Sequence, residues 1–203
     1  MLFIRKGTLS DLLKPEEMQQ VFQLADQHAM RDDFVNRMKP WLLASIFSLP
    51  KPMSPLFQDV LLYNMASESN KQLLGLEDTK EHFAALDSLS LADQLALLRA
   101  ILSETQQQKE QAYEETLQAY MSRNTEKLID IDEKWSSIQL PPEMWDRVRA
   151  KILDQRNERM AARIVQQAAD NTVFIEVGAS HLAGEDGLVG LLRASGYKMT
   201  PLQ

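Results

Sequence analysis

Residues 173–197 read VFIEVGASHLAGEDGLVGLLRASGY, and this run carries most of the fold prediction. It opens on residues 173–177, whose β-branched and aromatic side chains are typical of a strand. The motif Gly178-Ala-Ser-His181 comes next. An amphipathic helical pattern follows, with Gly196 where a helix C-cap glycine belongs, and residues 197–200 favour a second strand. The run therefore predicts a β-turn-α-β unit.

The rest of the chain is dominated by helical patterns. Further short strands are predicted at the N-terminal apolar residues and at 71–77, a compact apolar run between polar residues. The predicted fold class is α/β of a helix-rich α+β kind, with a small central sheet of about three to four short strands surrounded by long helices. The predicted helices cover residues 14–30, 32–47 with a division at Pro40, 54–69, a segment from Thr79, 91–120 and 143–169, with a proline-rich loop at 50–55.

The composition excludes several classes of protein. At 203 residues with 44% hydrophobic content, the chain is long enough for one domain with a buried core. Lysine and arginine number 22 against 29 acidic residues, for a net charge of -7, so nucleic acid is not an expected partner. Cysteine is absent, which rules out thiolate chemistry but leaves both cytoplasm and periplasm open. No apolar run reaches the ~18 residues of a membrane span, and the first residues do not match a signal peptide.

Histidines are few, and His181 is the one with a notable position. It follows a predicted strand at its C-terminal end, where open α/β sheets gather ligands and catalytic groups. Gly178 would allow a sharp turn and close approach of a ligand. One interpretation is metal ligation or proton transfer by His181; the other is a turn glycine followed by a hydrogen-bonded histidine. The patterns around His82 and His28 indicate surface residues.

Glu77 closes the predicted strand at 71–77 and has two interpretations. If that strand neighbours the one before His181, the carboxylate and the imidazole form an acid/base or metal-binding pair. Alternatively, Glu77 or Asp78 stabilises the first turn of the helix that begins near Thr79.

Two further charged residues are open to a functional or a structural interpretation. Arg156 either points its guanidinium at an anionic or carbonyl group, or forms surface ion pairs with its neighbours Asp154 and Glu158. Glu176 is a charge inside a predicted strand, so it either faces solvent or lies near a cation.

Residues 173–197 resemble the terminal signature of the TraB/GumN family, which also includes the animal Tiki proteases. Four upstream segments occur in the same order as similar segments of family members, so the resemblance covers essentially the whole chain. These segments are Gly7-Thr-Leu-Ser-Asp-Leu-Leu, Lys39-Pro-Trp, Leu74-Gly-Leu-Glu-Asp-Thr and Gln155-Arg-Asn-Glu-Arg-Met-Ala.

The resemblance implies a metal-dependent, peptidase-like hydrolase. In that family two Gly-x-x-His motifs meet with a glutamate and an arginine at a divalent-metal site. Carried over by match, Gly178 is the motif glycine, His181 a metal ligand, Glu77 a ligand or base, and Arg156 the residue that steadies the developing oxyanion. The implied substrate is a peptide or protein and the implied location the periplasm or envelope, while the metal's identity is not implied.

The chain departs from the family pattern at its start. No Gly-x-x-His precedes Gly7, the family often has glutamine at the place of His82, and a small residue is usual at that of Glu176. We therefore expect residues 1–203 to form a single domain that lacks the N-terminal strand with the first motif. Because a catalytic zinc-type site usually has three protein ligands, we expect the site to be incomplete and inactive in this chain.

A different class of function is a non-catalytic module. Such a module would bind a peptide or another envelope protein through the unpaired sheet edges. Self-association through the same edges is a third expectation.

Overall fold

The computed structural model describes residues 2–48 and 57–202, which form helices joined by turns and extended segments. Eleven α-helices are defined in these ranges: α1 Pro15–Gln27, α2 Asp32–Val35, α3 Pro40–Ser48, α4 Gln58–Glu68, α5 Thr79–Asp87, α6 Leu91–Ser103, α7 Gln106–Met121, α8 Glu126–Gln139, α9 Pro142–Arg149, α10 Gln155–Ala168 and α11 Leu188–Ala194. The predicted helices at 14–30 and from Thr79 are confirmed within a few residues of their ends. The helix predicted at 143–169 is helical over this range, but a π-helical turn at Ala150–Asp154 separates it into α9 and α10. The predicted loop at 50–55 lies outside the described residues.

The first apolar core joins α1, α3 and α6. Its fully buried side chains include Val21 on α1, Leu43 on α3 and Leu98 on α6. Pro40 is the first residue of α3, where proline's missing N–H is not needed, so the predicted division of the 32–47 helix at this residue is confirmed.

The longest predicted helix, 91–120, is wrong as a single element. It divides into α6 and α7 because Thr105 and Gln108 form a capping box: the Thr105 hydroxyl accepts from the Gln108 backbone N–H at 3.2 Å, and Gln108 Oε1 accepts from the Thr105 N–H at 2.9 Å. Glu104 before them has an extended backbone. The two side chains satisfy N–H groups at a new helix start, and this competes with helix continuation.

The α/β fold class is also wrong, since the described residues contain no strand ladder. Residues 71–77 and 173–177, both predicted as strands, have irregular backbone, with bends at Leu76 and Glu77, and neither segment pairs with a neighbour. The single backbone bridge in the described ranges joins Phe3 and Met38 in antiparallel orientation. Extended backbone becomes a strand only when another strand supplies its hydrogen bonds, and β-propensity does not supply that partner. Residues 197–200 are likewise unpaired, so the predicted β-α-β unit reduces to α11 and its flanking segments.

The second apolar core joins α10 and α11 and supports the C-terminal turn. Met160 and Ile164 on α10 pack with Leu188 and Leu192 on α11, and all four are buried. Gly196 ends α11 at φ +91°, with its N–H and that of Tyr197 bonded to carbonyls of the last turn, which confirms the predicted C-cap glycine. This core fixes α10 against the loop that carries His181.

Candidate active site

Helix α10 presents three arginines on one face. Arg156, Arg159 and Arg163 are spaced i, i+3 and i+7, which places them along one side of a helix. The chain before α10 makes a π-helical turn at Ala150–Asp154. Arg156 Nη1 donates to the Ile152 carbonyl of that turn at 2.8 Å. Because the wider turn interrupts the regular backbone bonding, this contact satisfies a carbonyl and also holds the Arg156 side chain.

The Glu77 carboxylate lies against two of the arginines of α10. Its carboxylate accepts from Arg156 Nε at 2.9 and 3.1 Å and from Arg156 Nη2 at 2.7 Å, while Arg159 Nη2 lies at 3.5 Å. The exposed side-chain fractions are 9% for Glu77 and 15% for Arg156, so the pair is well shielded from water. Arg156 is therefore not a surface residue paired with Asp154 and Glu158, which was one of its two interpretations.

The ionisation of Glu77 follows from two opposed effects. Burial by itself raises the pKa of this carboxyl, but the hydrogen bonds and charge of Arg156, together with the charges of His82 and Arg159, outweigh burial and lower it. Glu77 is thus a carboxylate at neutral pH.

The helix-capping role belongs to Asp78, the neighbour of Glu77. Asp78 Oδ1 accepts from the Glu81 N–H at 2.7 Å, and Glu81 Oε2 accepts from the Asp78 N–H at 3.0 Å, which forms a capping box at the start of α5. Arg163 donates to both oxygens of Glu81 and to the Leu76 carbonyl, and it lowers the pKa of Glu81 to about 2. These bonds fix the segment on either side of Glu77 and leave its carboxylate turned toward α10.

His181 lies in a 3₁₀ turn, Ala179–His181, that docks against α10. Its N–H donates to the Gly178 carbonyl at 2.9 Å, and the residue is buried. Burial lowers the pKa of His181 to about 4; the positive charge of Arg156 contributes, and the carboxylate of Glu77 opposes it. The ring is therefore neutral at pH 7, the form that accepts a proton or a metal ion. The ring of His181 is hydrogen-bonded to Asn157, the residue that follows Arg156 on α10, so His181 lies near the Arg156–Glu77 pair and the three candidate residues form one cluster.

Asn157 is a member of the cluster to which the sequence interpretation gave no role. It lies on α10 next to Arg156 and has a 2% exposed fraction. Its Oδ1 is 2.6 Å from His181 Nδ1, and its Nδ2 donates to the Asp186 carbonyl at 2.9 Å. A sequence signal exists: Asn157 is three, four and seven residues before the buried Met160, Ala161 and Ile164, which makes it an amide on the apolar face of its helix.

The other predicted candidates differ in how close they lie to this cluster. His82 is exposed, as predicted, but its Nδ1 is 3.2 Å from Arg156 Nη2 and 3.9 Å from Glu77 Oε2. His28 packs against Phe47 in the first core. Glu176 lies beside Asp59, and burial together with the charge of that neighbour raises the pKa of Glu176. Of the two interpretations of Glu176, a solvent-facing charge or a charge near a cation, the second does not fit, because the charged neighbour is the acidic Asp59.

Gly178 adopts φ -57° and ψ 140°, a backbone conformation open to any residue. A Cβ at this position would meet His181 Cδ2 at 3.8 Å, an ordinary contact. The turn itself thus does not require glycine. That Gly178 leaves space for a ligand stays a prediction, and the geometry of the turn is compatible with it.

The cluster does not form a complete metal site. Glu77 and His181 are two candidate ligands, and both oxygens of Glu77 already accept from arginines. Across residues 2–48 and 57–202, no group of three or more His, Asp or Glu side chains is placed to hold a metal ion. Since a catalytic zinc-type ion usually has three protein ligands, these residues do not fit such an ion on their own.

Comparison with known proteins identifies the family. The family model described as the TraB/PrgY/gumN family matches residues 1–201, nearly the whole chain. The chain therefore belongs to the TraB/PrgY/gumN family, and the predicted resemblance is confirmed. No curated protein and no solved structure matches it. In the part of the chain that the structure describes, no helix is both long and apolar enough to cross a membrane.

Proposed function

We propose that this protein is a peptidase-like hydrolase whose reaction centre contains His181, Glu77 and Arg156. The observation that supports this most is a buried, neutral imidazole, hydrogen-bonded to the neighbour of Arg156, together with a half-buried carboxylate on Arg156 that stays ionised. Acid/base sites commonly contain two titratable groups whose pKa values are shifted by their different surroundings. His181 Nε2 is the acceptor atom of the pair, and Glu77 is its fixed negative charge.

We propose a second role for Arg156 besides the oxyanion contact that the family resemblance implies. Its Nε and Nη2 are bonded to Glu77 and one Nη1 hydrogen to the Ile152 carbonyl. We assign Arg156 to holding Glu77 charged and oriented, with the remaining Nη1 hydrogen available to a substrate carbonyl oxygen.

Metal dependence is part of this proposal but rests on the family alone. Because Glu77 and His181 are the two candidate ligands here, we expect the 203-residue chain by itself to be inactive in metal-dependent hydrolysis. A third ligand has to come from outside the cluster for activity to arise.

The test is hydrolysis of a quenched peptide mixture by the complete gene product, with Zn²⁺, Mn²⁺ or Co²⁺ added. The protein is compared with His181→Ala and with His28→Ala, a matched control whose histidine lies in the first core. We expect His181→Ala to lower kcat/KM by about 100-fold or more and His28→Ala to leave it unchanged. Equal activity in His181→Ala overturns the assignment of His181. No hydrolysis with any of the metals overturns the hydrolase proposal.

The second candidate function is a non-catalytic module that binds a peptide or another envelope protein. The observation that favours it is the exposure of apolar side chains on segments that pair with no strand, with exposed fractions of 82% for Phe174 and 57% for Leu74. Peptide retention without cleavage, lost in Phe174→Ser and kept in His181→Ala, is the result expected for this function. Concentration-dependent mass in sedimentation, reduced by Phe174→Ser, is the result expected for self-association.

A further inference from the structure

The Asn157 side chain has both of its polar ends engaged in hydrogen bonds, although the residue is almost fully buried. On α10 it belongs to the face that packs on α11, beside Met160 and Ala161. Removing an amide from water costs free energy unless both its donor and its acceptor find partners. Its two partners are the Asp186 carbonyl and the ring of His181. This pairing gives the amide a defined orientation.

The orientation of the amide follows from the chemistry of Asp186. A backbone carbonyl can only accept, so the NH₂ group of Asn157 must face it, at 2.9 Å. Oδ1 of Asn157 then faces His181 Nδ1, at 2.6 Å. An amide oxygen can only accept as well, so Nδ1 of His181 must carry the hydrogen. On a neutral ring, Nε2 is then the nitrogen with a free lone pair.

We propose that Asn157 is a positioning residue that holds His181 in the Nδ1–H tautomer and presents Nε2 to the reaction centre. Partners of this kind fix both the tautomer and the direction of an imidazole that acts on a metal ion or a proton. The role of Nε2 in catalysis rests on the proposed function, whereas the tautomer rests on the two hydrogen bonds alone.

The same two bonds also fasten the C-terminal loop to α10. Asn157 joins the 3₁₀ turn that carries His181 with the following loop at Asp186. A purely structural role would consist of this link and would not require a particular tautomer. Asn157→Asp separates the two roles. It keeps the acceptor for Nδ1 that fixes the tautomer, but it loses the donor that links the turn to the Asp186 carbonyl.

The experiment is ¹H–¹⁵N correlation of the imidazole nitrogens at pH 8, on protein labelled with ¹⁵N-histidine. His181→Asn identifies the His181 signals among those of the three histidines. In the unsubstituted protein we expect His181 Nδ1 to be protonated and Nε2 to be unprotonated. In Asn157→Leu we expect averaged shifts of two exchanging tautomers, and in Asn157→Asp the original tautomer.

The matched control is Gln94→Leu, which removes another buried amide that donates to a backbone carbonyl, that of Leu89 at 2.9 Å. We expect it to leave the His181 signals unchanged. An Nε2–H tautomer in the unsubstituted protein overturns the proposal, and this outcome does not depend on whether any variant folds. The proposal is also overturned if folded Asn157→Leu keeps the Nδ1–H tautomer.

Activity gives a second readout that separates this proposal from the proposed function. In the peptide assay, we expect Asn157→Leu to lower kcat by about 10- to 100-fold, with little change in KM. If the unsubstituted protein shows the Nδ1–H tautomer but no hydrolysis, the proposed function fails and the tautomer assignment stands. If hydrolysis is present and Asn157→Leu leaves kcat unchanged, positioning by Asn157 fails while the function stands.

Discussion

Glu77 is a buried carboxylate whose charge depends on its arginine partners. Burial disfavours the ionised form, and three bonds from Arg156 reverse that preference. A buried ion pair of this kind adds little net stability over an apolar pair, but the loss of one partner leaves a charge that water cannot reach. Glu77 and Arg156 are thus coupled, and each is costly without the other.

Arg156→Leu is expected to destabilise the protein by roughly 3 kcal/mol, because it leaves the shielded Glu77 carboxylate with only the more distant Arg159 and His82 to offset its charge. Urea unfolding at pH 7 measures the change. The control is Arg31→Leu, whose pair with Asp33 is exposed at 82% and 69% of the two side chains, and which we expect to cost much less because water screens the pair. Arg156→Leu combined with Glu77→Leu is expected to recover part of the loss. A cost for Arg156→Leu no larger than the control's contradicts the coupling.

The buried His181 makes stability depend on pH. Its pKa is about 4 in the folded protein against 6.5 as the ordinary value, so between these two pH values the unfolded chain binds a proton that the folded chain does not. The free energy of unfolding is therefore complete above pH 6.5 and decreases as the pH falls to about 4.

His181→Asn is expected to flatten this part of the stability profile, since its amide can replace Nδ1–H as a donor but does not titrate. Urea midpoints at several pH values between 7 and 4 measure the difference between the two proteins, and other titrating groups cancel because both contain them. Parallel profiles of the two proteins contradict the depressed pKa.

The candidate residues could be predicted from the sequence to different degrees. His181, Glu77 and Arg156 could be named because a motif and the family resemblance mark them. Asn157 was missed because its importance depends on what the apolar face of α10 packs against, and the local pattern does not contain that information. The sequence left open whether Glu77 or Asp78 caps α5. The structure shows that Asp78 forms the capping box and that Glu77 accepts from Arg156.

At the scale of elements, the turns at Gly178 and Gly187 differ in how much space they leave for a side chain. The Gly178 turn has space for a methyl group, whereas a Cβ at Gly187 would lie 2.0 Å from the Ala183 carbonyl oxygen. Gly187 precedes α11 and allows the loop from His181 to close against itself.

Gly187→Ala is expected to destabilise the protein by about 3 kcal/mol through this backbone clash, and Gly178→Ala by about 0.5 kcal/mol or less. Thermal or urea unfolding of the two variants measures the contrast. Comparable losses in both contradict the turn geometry. If Gly178→Ala is stable yet slow in hydrolysis, the glycine is needed for the approach of a ligand rather than for the turn.

Helices could be predicted from this sequence better than strands. Periodicity and caps act within a few residues, so α1, α5 and α10 were predictable, and even the missed break at Thr105 left a local signal in its capping box. Residues 173–177 carry strong β-propensity, but pairing requires a second segment in register, and no described segment supplies one. The sheet prediction was wrong for this non-local reason.

For the whole molecule, the two apolar cores determine where chemistry can occur. The first joins α1, α3 and α6, and the second joins α10 and α11 directly behind Asn157 and His181. The second core holds α10, which carries Arg156 and Asn157, and hydrogen bonds from these two residues fasten the connecting segments that carry Glu77 and His181. The family match covers both cores.

The most direct test of the central claim is a double-mutant cycle on kcat/KM with Glu77→Gln and His181→Ala in the peptide assay. If the two residues act as one unit, each single change lowers kcat/KM strongly, and the double variant is no worse than the poorer single variant. Far-UV circular dichroism confirms that each variant is folded. Losses that multiply in the double variant, or full activity in Glu77→Gln, contradict a shared reaction centre.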